Sequence, residues 1–249
     1  MQQTVLSYGP SDEQVVDLQW PEAGDGPFPV VVLVHGGFWR QQYGKDLMVP
    51  LARDATMRGY ATANVEYRRV GGDGGWPETF ADVAAAVDAL ADADAPIDLD
   101  RVVVVGHSAG GHLAAWVASR PSVPDGAVGA NPVVVPCAAV SQAGVVALAD
   151  AGRLGIGEDA TRALMGGGPD EVPERYEIGD PSALAPPSAP VLLVHAPGDD
   201  RVPIAQSEAY LDFAGDRAEL ARVDGDHFTV IDPGDASWDL TMDWVAVHC

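Results

Sequence analysis

The stretch VVVVGHSAGG, residues 102–111, decides the fold. Its four valines form a run of β-branched side chains with no polar position, which is typical of a strand buried on both faces of a parallel sheet. The glycines that follow predict a tight turn, and residues 110–120 have the spacing of a helix. The segment therefore predicts a strand, a sharp turn and a helix, with Ser108 in the turn.

Similar apolar runs recur along the chain and alternate with helical patterns. The strand-like runs lie at residues 30–34 and 191–194, with weaker versions at 61–66, 133–140 and 219–223. Apolar residues repeat at helical spacing over residues 46–58, 78–90, 204–213 and 238–247. Residues 15–20 read as an early antiparallel edge strand. This alternation predicts an α/β fold with a doubly wound, mostly parallel sheet.

A chain of 249 residues with this pattern is expected to form one α/β domain, residues 1–249. The alternation is interrupted over residues 144–187, which are rich in glycine, proline and charge and have helical patterns only at 145–153 and 160–165. A long irregular segment inside a compact domain is more often a lid or a binding segment than a linker. We therefore expect a short lid-like excursion from the main fold.

The charge balance restricts the partners. Against 14 lysines and arginines the chain has 37 aspartates and glutamates, which gives a formal net charge of −23. An acidic surface repels phosphate, so nucleic acids and anionic membranes are excluded as partners. A small neutral or zwitterionic molecule is the expected substrate.

The cysteines and the first residues predict a cytoplasmic protein. The spacing of Cys137 and Cys249 resembles neither a metal site nor a disulfide framework. Residues 1–14 lack the basic and apolar regions of a signal peptide, and no apolar run approaches the ~20 residues that span a bilayer. We expect no disulfide framework, no metal site and a reducing compartment.

Ser108 is the candidate nucleophile because it occupies the centre of a G-x-S-x-G motif, Gly106 to Gly110, between a strand and a helix. Small residues two positions away on either side allow the strand and the helix to approach each other. The serine hydroxyl is then presented at the carboxyl edge of the sheet, above a helix N-terminus that favours negative charge. The alternative is a glycine-rich turn with a solvated serine.

A serine nucleophile requires a base, and the base requires an acid that orients it. Of the histidines after Ser108, His227 lies in a turn between a strand and the last helix, where a loop can carry an imidazole over the sheet edge. The others are placed less favourably, in the helix behind the serine, at a strand end and next to the C-terminus: His112, His195 and His248.

The acid is expected after the strand at residues 191–194. Asp199 and Asp200 are adjacent there, so only one of them can point at His227, and position in the turn favours Asp199. Asp226 precedes His227 directly, and neighbours in a turn rarely face each other. Asp200 is expected to be a surface acid, paired with Arg201.

An oxyanion hole requires backbone N–H groups directed at one point. Ala109, which follows the serine, supplies one such group. The segment HGGFW, residues 35–39, follows a predicted strand, and its glycines allow close approach to a substrate. Gly37 and Phe38 are therefore the other predicted donors, and His35 is expected to hold the shape of the loop.

These motifs together resemble the α/β-hydrolase superfamily. The segments HGGFW, GHSAGG, DDRVP at Asp199 to Pro203 and DHF at Asp226 to Phe228 are most similar to its esterase and kynurenine-formamidase-like branch, which has an H-G-G-[FY]-W oxyanion loop. The resemblance extends from about Pro29 to the end of the chain. It implies that Asp199 is the acid and His227 the base. Ala196 and Phe38 stand where relatives commonly have glycine and, in formamidases, tyrosine.

The resulting hypothesis is a serine hydrolase without a cofactor that cleaves a small carboxylic ester or an aryl formamide. Trp39 and Trp76 are expected to line the substrate pocket, with Tyr43 and Met165 as further candidates. Arg40 is either a substrate-carboxylate contact or a surface residue. The alternatives are a peptidase resembling the catalytic domain of prolyl oligopeptidases and a non-catalytic binding protein of the same fold.

Overall fold

One eight-stranded sheet runs through the computed structural model, which describes residues 1–249. The strands are β1 (Gln2–Ser7), β2 (Val15–Trp20), β3 (Phe28–Val34), β4 (Ala61–Val65), β5 (Ile97–His107), β6 (Ala138–Gln142), β7 (Val191–His195) and β8 (Ala218–Arg222). Their order across the sheet is β1-β2-β4-β3-β5-β6-β7-β8. Strands β1 and β2 are antiparallel to their neighbours, and all other pairs are parallel.

Eight helices accompany the sheet. They are α1 (Val49–Met57), α2 (Glu78–Asp88), α3 (Ala109–Ser119), α4 (Leu148–Leu154), α5 (Ile156–Met165), α6 (Pro173–Gly179), α7 (Ala205–Ala214) and α8 (Ala236–His248). The predicted α/β fold with a mostly parallel, doubly wound sheet is confirmed. None of the helices is long and apolar enough to cross a lipid bilayer.

The valine runs form two cores because successive side chains of a strand point to opposite faces. In β3, Val30 and Val32 face the larger core, where α2 and α3 pack, whereas Val31 and Leu33 face the core under α1 and α8. All four side chains are fully buried. Helices therefore cover both faces of the sheet, which explains why its central strands have no polar alternation.

Several predicted boundaries differ from the structure. Strand β1 was not predicted because its residues are mostly polar. Since β1 forms the sheet edge, residues 15–20 are antiparallel as predicted but are not the edge strand. The strand predicted at residues 133–140 begins at Ala138, since Val133 and Val135 are exposed in the preceding loop. The excursion at residues 144–187 forms three helices rather than two, and α6 is the additional one.

The expectation that the two cysteines form no disulfide is wrong. Cys137, just before β6, and Cys249, after α8, form a disulfide, with their Cα atoms 5.9 Å apart. The two residues are 112 positions apart in sequence, and only the packing of α8 against the sheet brings them together. Sequence spacing did not reveal this bond, because the bond depends on tertiary structure. The cytoplasmic location stays a prediction.

Candidate active site

Ser108 lies in a turn between β5, which ends at His107, and α3, which begins at Ala109. Its backbone has φ 55° and ψ −115°, a strained conformation for a residue with a side chain. A Cβ atom on Gly106 would lie 2.0 Å from the carbonyl oxygen of Gly110, and one on Gly110 would lie 2.0 Å from that of Val34. Glycine is therefore required on both sides of this turn.

His227 lies in the turn after β8 and is hydrogen-bonded to Asp199, in the loop after β7. The Nδ1 of His227 is 2.7 Å from Oδ2 of Asp199, and both side chains are buried. The other oxygen of Asp199, Oδ1, accepts hydrogen bonds from the backbone N–H groups of Arg201 and Val202, each at 2.8 Å. One oxygen of the carboxylate is thus held by the backbone, and the other contacts the imidazole of His227.

The carboxyl group of Asp199 is held in its ionised form. Burial raises its pKa, but hydrogen bonds from His195, His227 and the Val202 amide together hold the pKa well below its usual range. The His195 contact is longer, with Nε2 3.4 Å from Oδ2 of Asp199. His195 itself is buried, and its Nδ1 is 2.8 Å from the hydroxyl of Ser207. Its Nε2 lies closer to the carbonyl oxygen of Val202, at 2.9 Å, so His195 fixes the loop that carries Asp199.

The neighbouring acids point elsewhere. Asp200 is exposed and pairs with Arg201 at 3.5 Å. Asp226 accepts hydrogen bonds from the amides of Phe228 and Thr229, which closes the turn that carries His227. Of the three candidate acids, only Asp199 contacts the imidazole.

The remaining candidate histidines are occupied in structural contacts. His112 is fully buried, and its Nε2 lies 2.8 Å from the carbonyl oxygen of Gly179. Burial lowers the pKa of His112 to about 4, although that hydrogen bond acts in the opposite direction. His248 stacks on Trp244, with ring centroids 3.8 Å apart. Neither ring lines the cavity beside Ser108.

The loop after β3 contacts the serine. A Cβ atom on Gly36 would lie 3.0 Å from Cβ of Ser108, so the loop and the turn are in direct contact. The N–H groups of Gly37 and Phe38 have no hydrogen-bond partner within the protein. Ala109 is the first residue of α3, and the first amides of a helix have no partner within it. The backbone thus brings three candidate donors to the neighbourhood of the serine.

His35 holds this loop in place. Its Nε2 is 2.9 Å from Oε1 of Glu66, and its ring stacks on Tyr67 with centroids 4.3 Å apart. The hydroxyl of Tyr67 donates a hydrogen bond to the carbonyl oxygen of His35 at 2.8 Å. His35 is therefore a structural residue of the loop and has no contact with the cavity.

Ser108 and His227 line one cavity of about 160 Å³ at the carboxyl edge of the sheet. Their side chains make no hydrogen bond with each other, and such bonds often tighten only when a substrate is bound. The rest of the wall is formed mainly by apolar side chains, together with Gly37, His107 and Arg201; the apolar ones are Phe38, Tyr43, Leu47 and Phe228. The arrangement suits attack by a serine on a small, largely apolar group.

Residues 16–212 match the protein-family model described as BD-FAE. This chain belongs to the BD-FAE family. The match covers the sheet from β2 to β7 and continues through most of α7, so it includes Ser108 and Asp199 but ends before His227. No curated protein matched the sequence.

Solved structures share the α/β-hydrolase fold of this BD-FAE family chain. Esterase B from Lactobacillus rhamnosis HN001 has a TM-score of 0.83 at 20% identity, over 99% of this chain and 84% of that one. A truncated carbohydrate esterase from gut microbiota has a TM-score of 0.81 at 20% identity, over 98% and 96% of the two chains. A carboxylesterase from Lactobacillus plantarum WCFS1 has a TM-score of 0.75 at 18% identity, over 99% and 95%.

Two tryptophans expected in the pocket lie outside its wall. In this BD-FAE chain Trp39 is buried in the larger core, edge-on to His112 with ring centroids 5.3 Å apart. Trp76 packs in the same way against Phe80, at 5.0 Å. Trp39 is buried, whereas Trp76 is half-buried and packs against the same core. Met165 is also buried in that core.

The cavity residues that sequence reasoning missed are Leu47, His107, Arg201 and Phe228. Of these, His107 and Phe228 are next to the predicted Ser108 and His227, so a sequence signal existed for them. Leu47 comes from a short 3₁₀ turn before α1, and nothing in its local pattern distinguishes it from a core residue. Tyr43 does line the cavity, as suggested for it.

The excursion of the BD-FAE chain packs directly on the loop after β3. The ring of Phe38 lies so close to Gly157 that a Cβ atom there would be 2.2 Å from it. Arg40 donates hydrogen bonds to the carbonyl oxygens of Gly157 and Glu158, at 2.8 and 3.3 Å, and it pairs with the carboxylate of Glu158 at 3.4 Å. Arg40 is therefore occupied in joining the excursion to this loop.

Proposed function

We propose that this chain is a serine hydrolase that cleaves small carboxylic esters, with Ser108 as the nucleophile, His227 as the base and Asp199 as the orienting acid. The observation that carries the proposal is the 2.7 Å contact between Nδ1 of His227 and Oδ2 of Asp199, beside a cavity that Ser108 also lines. An acid that orients a histidine, and a histidine that takes the serine proton, make a serine hydroxyl reactive.

In the proposed reaction, Oγ of Ser108 attacks the carbonyl carbon while Nε2 of His227 takes the hydroxyl proton. The carbonyl oxygen becomes an oxyanion, which the amides of Gly37, Phe38 and Ala109 stabilise. When the bond to the leaving oxygen breaks, His227 gives the proton to the departing alcohol. Water then attacks the acyl group on Ser108 by the same steps and releases the acid, which needs no cofactor.

The ionised carboxylate of Asp199 supports both proton transfers. It holds Nδ1 of His227 in the protonated tautomer and stabilises the imidazolium that forms when Nε2 accepts the proton. Its lowered pKa supports this role, since the group stays charged throughout the neutral range. The supporting hydrogen bonds from Arg201 and Val202 keep the carboxylate from turning away.

The cavity favours a small substrate. A cavity of about 160 Å³ is similar in volume to engineered apolar cavities of ~150 Å³ that bind benzene, so it accommodates a short acyl chain or one aromatic ring. The names of the structural neighbours, a carbohydrate esterase, an esterase and a carboxylesterase, support an ester as the substrate. An aryl formamide requires the same steps and is the second substrate class proposed, in line with the HGGFW loop.

The test combines a covalent probe with turnover. A fluorophosphonate probe is expected to label the folded wild-type protein and neither the Ser108→Ala variant nor heat-denatured protein. Ser108→Ala is also expected to abolish turnover of p-nitrophenyl acetate. Unlabelled Ser108 in a folded protein that turns over none of the esters would instead support a binding protein. Comparing N-formylkynurenine, short acyl esters and a prolyl-peptide amide then ranks the formamidase, esterase and peptidase activities.

A further inference from the structure

Arg201 is fixed beside the proposed catalytic groups by its backbone. Its N–H donates to Oδ1 of Asp199 at 2.8 Å, while the other oxygen of that carboxylate contacts His227. From this position its side chain reaches the wall of the cavity that Ser108 lines. The backbone from which the Arg201 side chain extends is therefore held by the same carboxylate that orients the base.

The cavity has one permanent charge, and it is positive. Among its nine lining residues, Arg201 is the only arginine, lysine, aspartate or glutamate. His107 is neutral because burial and the nearby His227 lower its pKa to about 3. In a chain with 14 basic and 37 acidic residues, a cavity without an acidic residue departs from the composition of the molecule as a whole.

The guanidinium of Arg201 is only weakly engaged by the protein. Its single ionic contact is with Asp200 at 3.5 Å, and the two side chains are 56% and 74% exposed. The side chain makes no hydrogen bond, so its five N–H donors are available to a ligand. Arg40, in contrast, donates to the carbonyl oxygens of Gly157 and Glu158. Of the two arginines near the site, Arg201 is the one free to bind a ligand.

We infer that the preferred substrates are esters that carry a carboxylate, which Arg201 binds while Ser108 attacks the ester carbonyl. The inference rests on the proposed function. A guanidinium presents paired N–H donors that match the two oxygens of a carboxylate. The net charge of −23 opposes polyanions at long range, but Arg201 is the charged residue that lines the cavity, so a single carboxylate there meets its guanidinium directly. Asp200 competes for the same guanidinium.

The experiment uses two pairs of esters, each with a charged member and a neutral member of nearly the same shape. Monoethyl succinate and ethyl succinamate place the charge on the acyl side, and 3-acetoxybenzoate and 3-acetoxybenzamide place it on the leaving group. For each pair the measured quantity is the ratio of kcat/KM, charged over neutral, from proton release at constant pH. The proteins are the wild type, Arg201→Gln, Arg201→Lys, Asp200→Asn and Arg222→Gln.

Arg222→Gln is the matched control, because Arg222 is also 56% exposed and also pairs with one acid, Glu208, but does not line the cavity. In at least one pair, Arg201→Gln is expected to lower the ratio about tenfold, mainly by raising the KM of the charged ester. Arg201→Lys should restore part of it, Asp200→Asn should raise it, and the control should leave it unchanged.

A ratio that is the same in Arg201→Gln, Arg222→Gln and the wild type, in both pairs, would overturn the inference. The proposed function would survive that result if the neutral esters were still hydrolysed by the wild type and not by Ser108→Ala. If the wild type hydrolysed neither member of either pair, this inference would fail, and the proposed function would fail with it only if p-nitrophenyl acetate were not turned over either.

Discussion

The imidazole of His107 donates a hydrogen bond from Nε2 to the carbonyl oxygen of His227, 2.9 Å away and 120 residues later in the chain. A carbonyl oxygen can only accept, so the proton of the neutral ring lies on Nε2. The bond joins the turn that carries the nucleophile to the turn that carries the base. Their relative position therefore depends on the second residue of the G-x-S-x-G motif.

Replacing His107 by alanine is expected to lower kcat for p-nitrophenyl acetate about tenfold, with a much smaller change in KM. The loss follows because the buried carbonyl of His227 then lacks a donor, a change that costs about 1–3 kcal/mol and loosens the turn. His107→Gln keeps an N–H at a similar reach and should recover most of kcat. Equal losses in the alanine and glutamine variants would argue against this role.

Asp199 and Asp200 are adjacent, but their substitution should have very different effects. Asp199→Asn is expected to lower kcat by roughly 10³–10⁴, because an amide favours the wrong tautomer of the histidine. Asp200→Asn should cause a far smaller loss with a neutral ester, since Asp200 is exposed and does not contact His227. Steady-state kinetics on both variants measure the difference, and similar losses would contradict the assignment of the acid.

The excursion is expected to control the oxyanion loop through Gly157. Gly157→Ala places a methyl group against the ring of Phe38 and should lower kcat about tenfold by shifting a proposed oxyanion donor. Gly126→Ala is the matched control, because Gly126 also has a positive φ, 82°, but nothing lies within 4 Å of its added Cβ. Both variants place a side chain at a positive φ, so they share the same backbone strain. Only Gly157→Ala adds the contact with Phe38, so only that variant should lower turnover. Equal activity in the two would show that the contact has no catalytic effect.

Acid should destabilise the protein partly through His112. Its folded-state pKa of about 4 lies below the ~6.5 expected when unfolded, so the unfolded chain binds the proton first. The associated stability is complete above about pH 6.5 and is lost as the pH falls towards 4, by about 1.4 kcal/mol per pH unit. The free energy of unfolding, measured with urea at several pH values between 6.5 and 5, should fall less steeply with decreasing pH for His112→Gln than for the wild type. Parallel curves would contradict the prediction.

The disulfide is expected to contribute substantially to stability. A bridge between residues 112 positions apart stabilises by up to about 5 kcal/mol in the chain-entropy account. Cys137→Ser and Cys249→Ser should therefore lower the free energy of unfolding by similar amounts, and reduction of the wild type should reproduce the loss. Mass spectrometry without reductant should show a wild-type chain two hydrogens lighter than the reduced form. Two free thiols in that measurement would contradict the bridge.

The parts of the fold that follow from local chemistry were predictable from sequence. Runs such as Val102–Val105 have no polar position because both faces of the strand are covered, so the pattern and the burial have one cause. Ser108, His227 and Asp199 could be proposed because the motif, the chain order and the strand ends agree. The structure brings these three together, although their catalytic roles stay predictions.

The parts that depend on tertiary packing were not predictable. Whether Trp39 or Phe38 faces the cavity depends on two successive positive φ angles, 55° and 52°, which the HGGFW motif does not reveal. The pairing of Cys137 with Cys249 depends on where α8 ends against the sheet. Arg201 was noted only as a partner of Asp200, because nothing in sequence shows that its side chain reaches the wall of the cavity.

The contact between Phe38 and Gly157 has a consequence for selectivity by size. A bulky acyl group that displaced the excursion would also move Phe38, whose amide is one of the proposed oxyanion donors. Such a substrate could still bind, but the transition state would lose a hydrogen bond that the ground state does not need. Discrimination against large substrates would therefore be observed in kcat more than in KM, so inhibition assays would not reveal it.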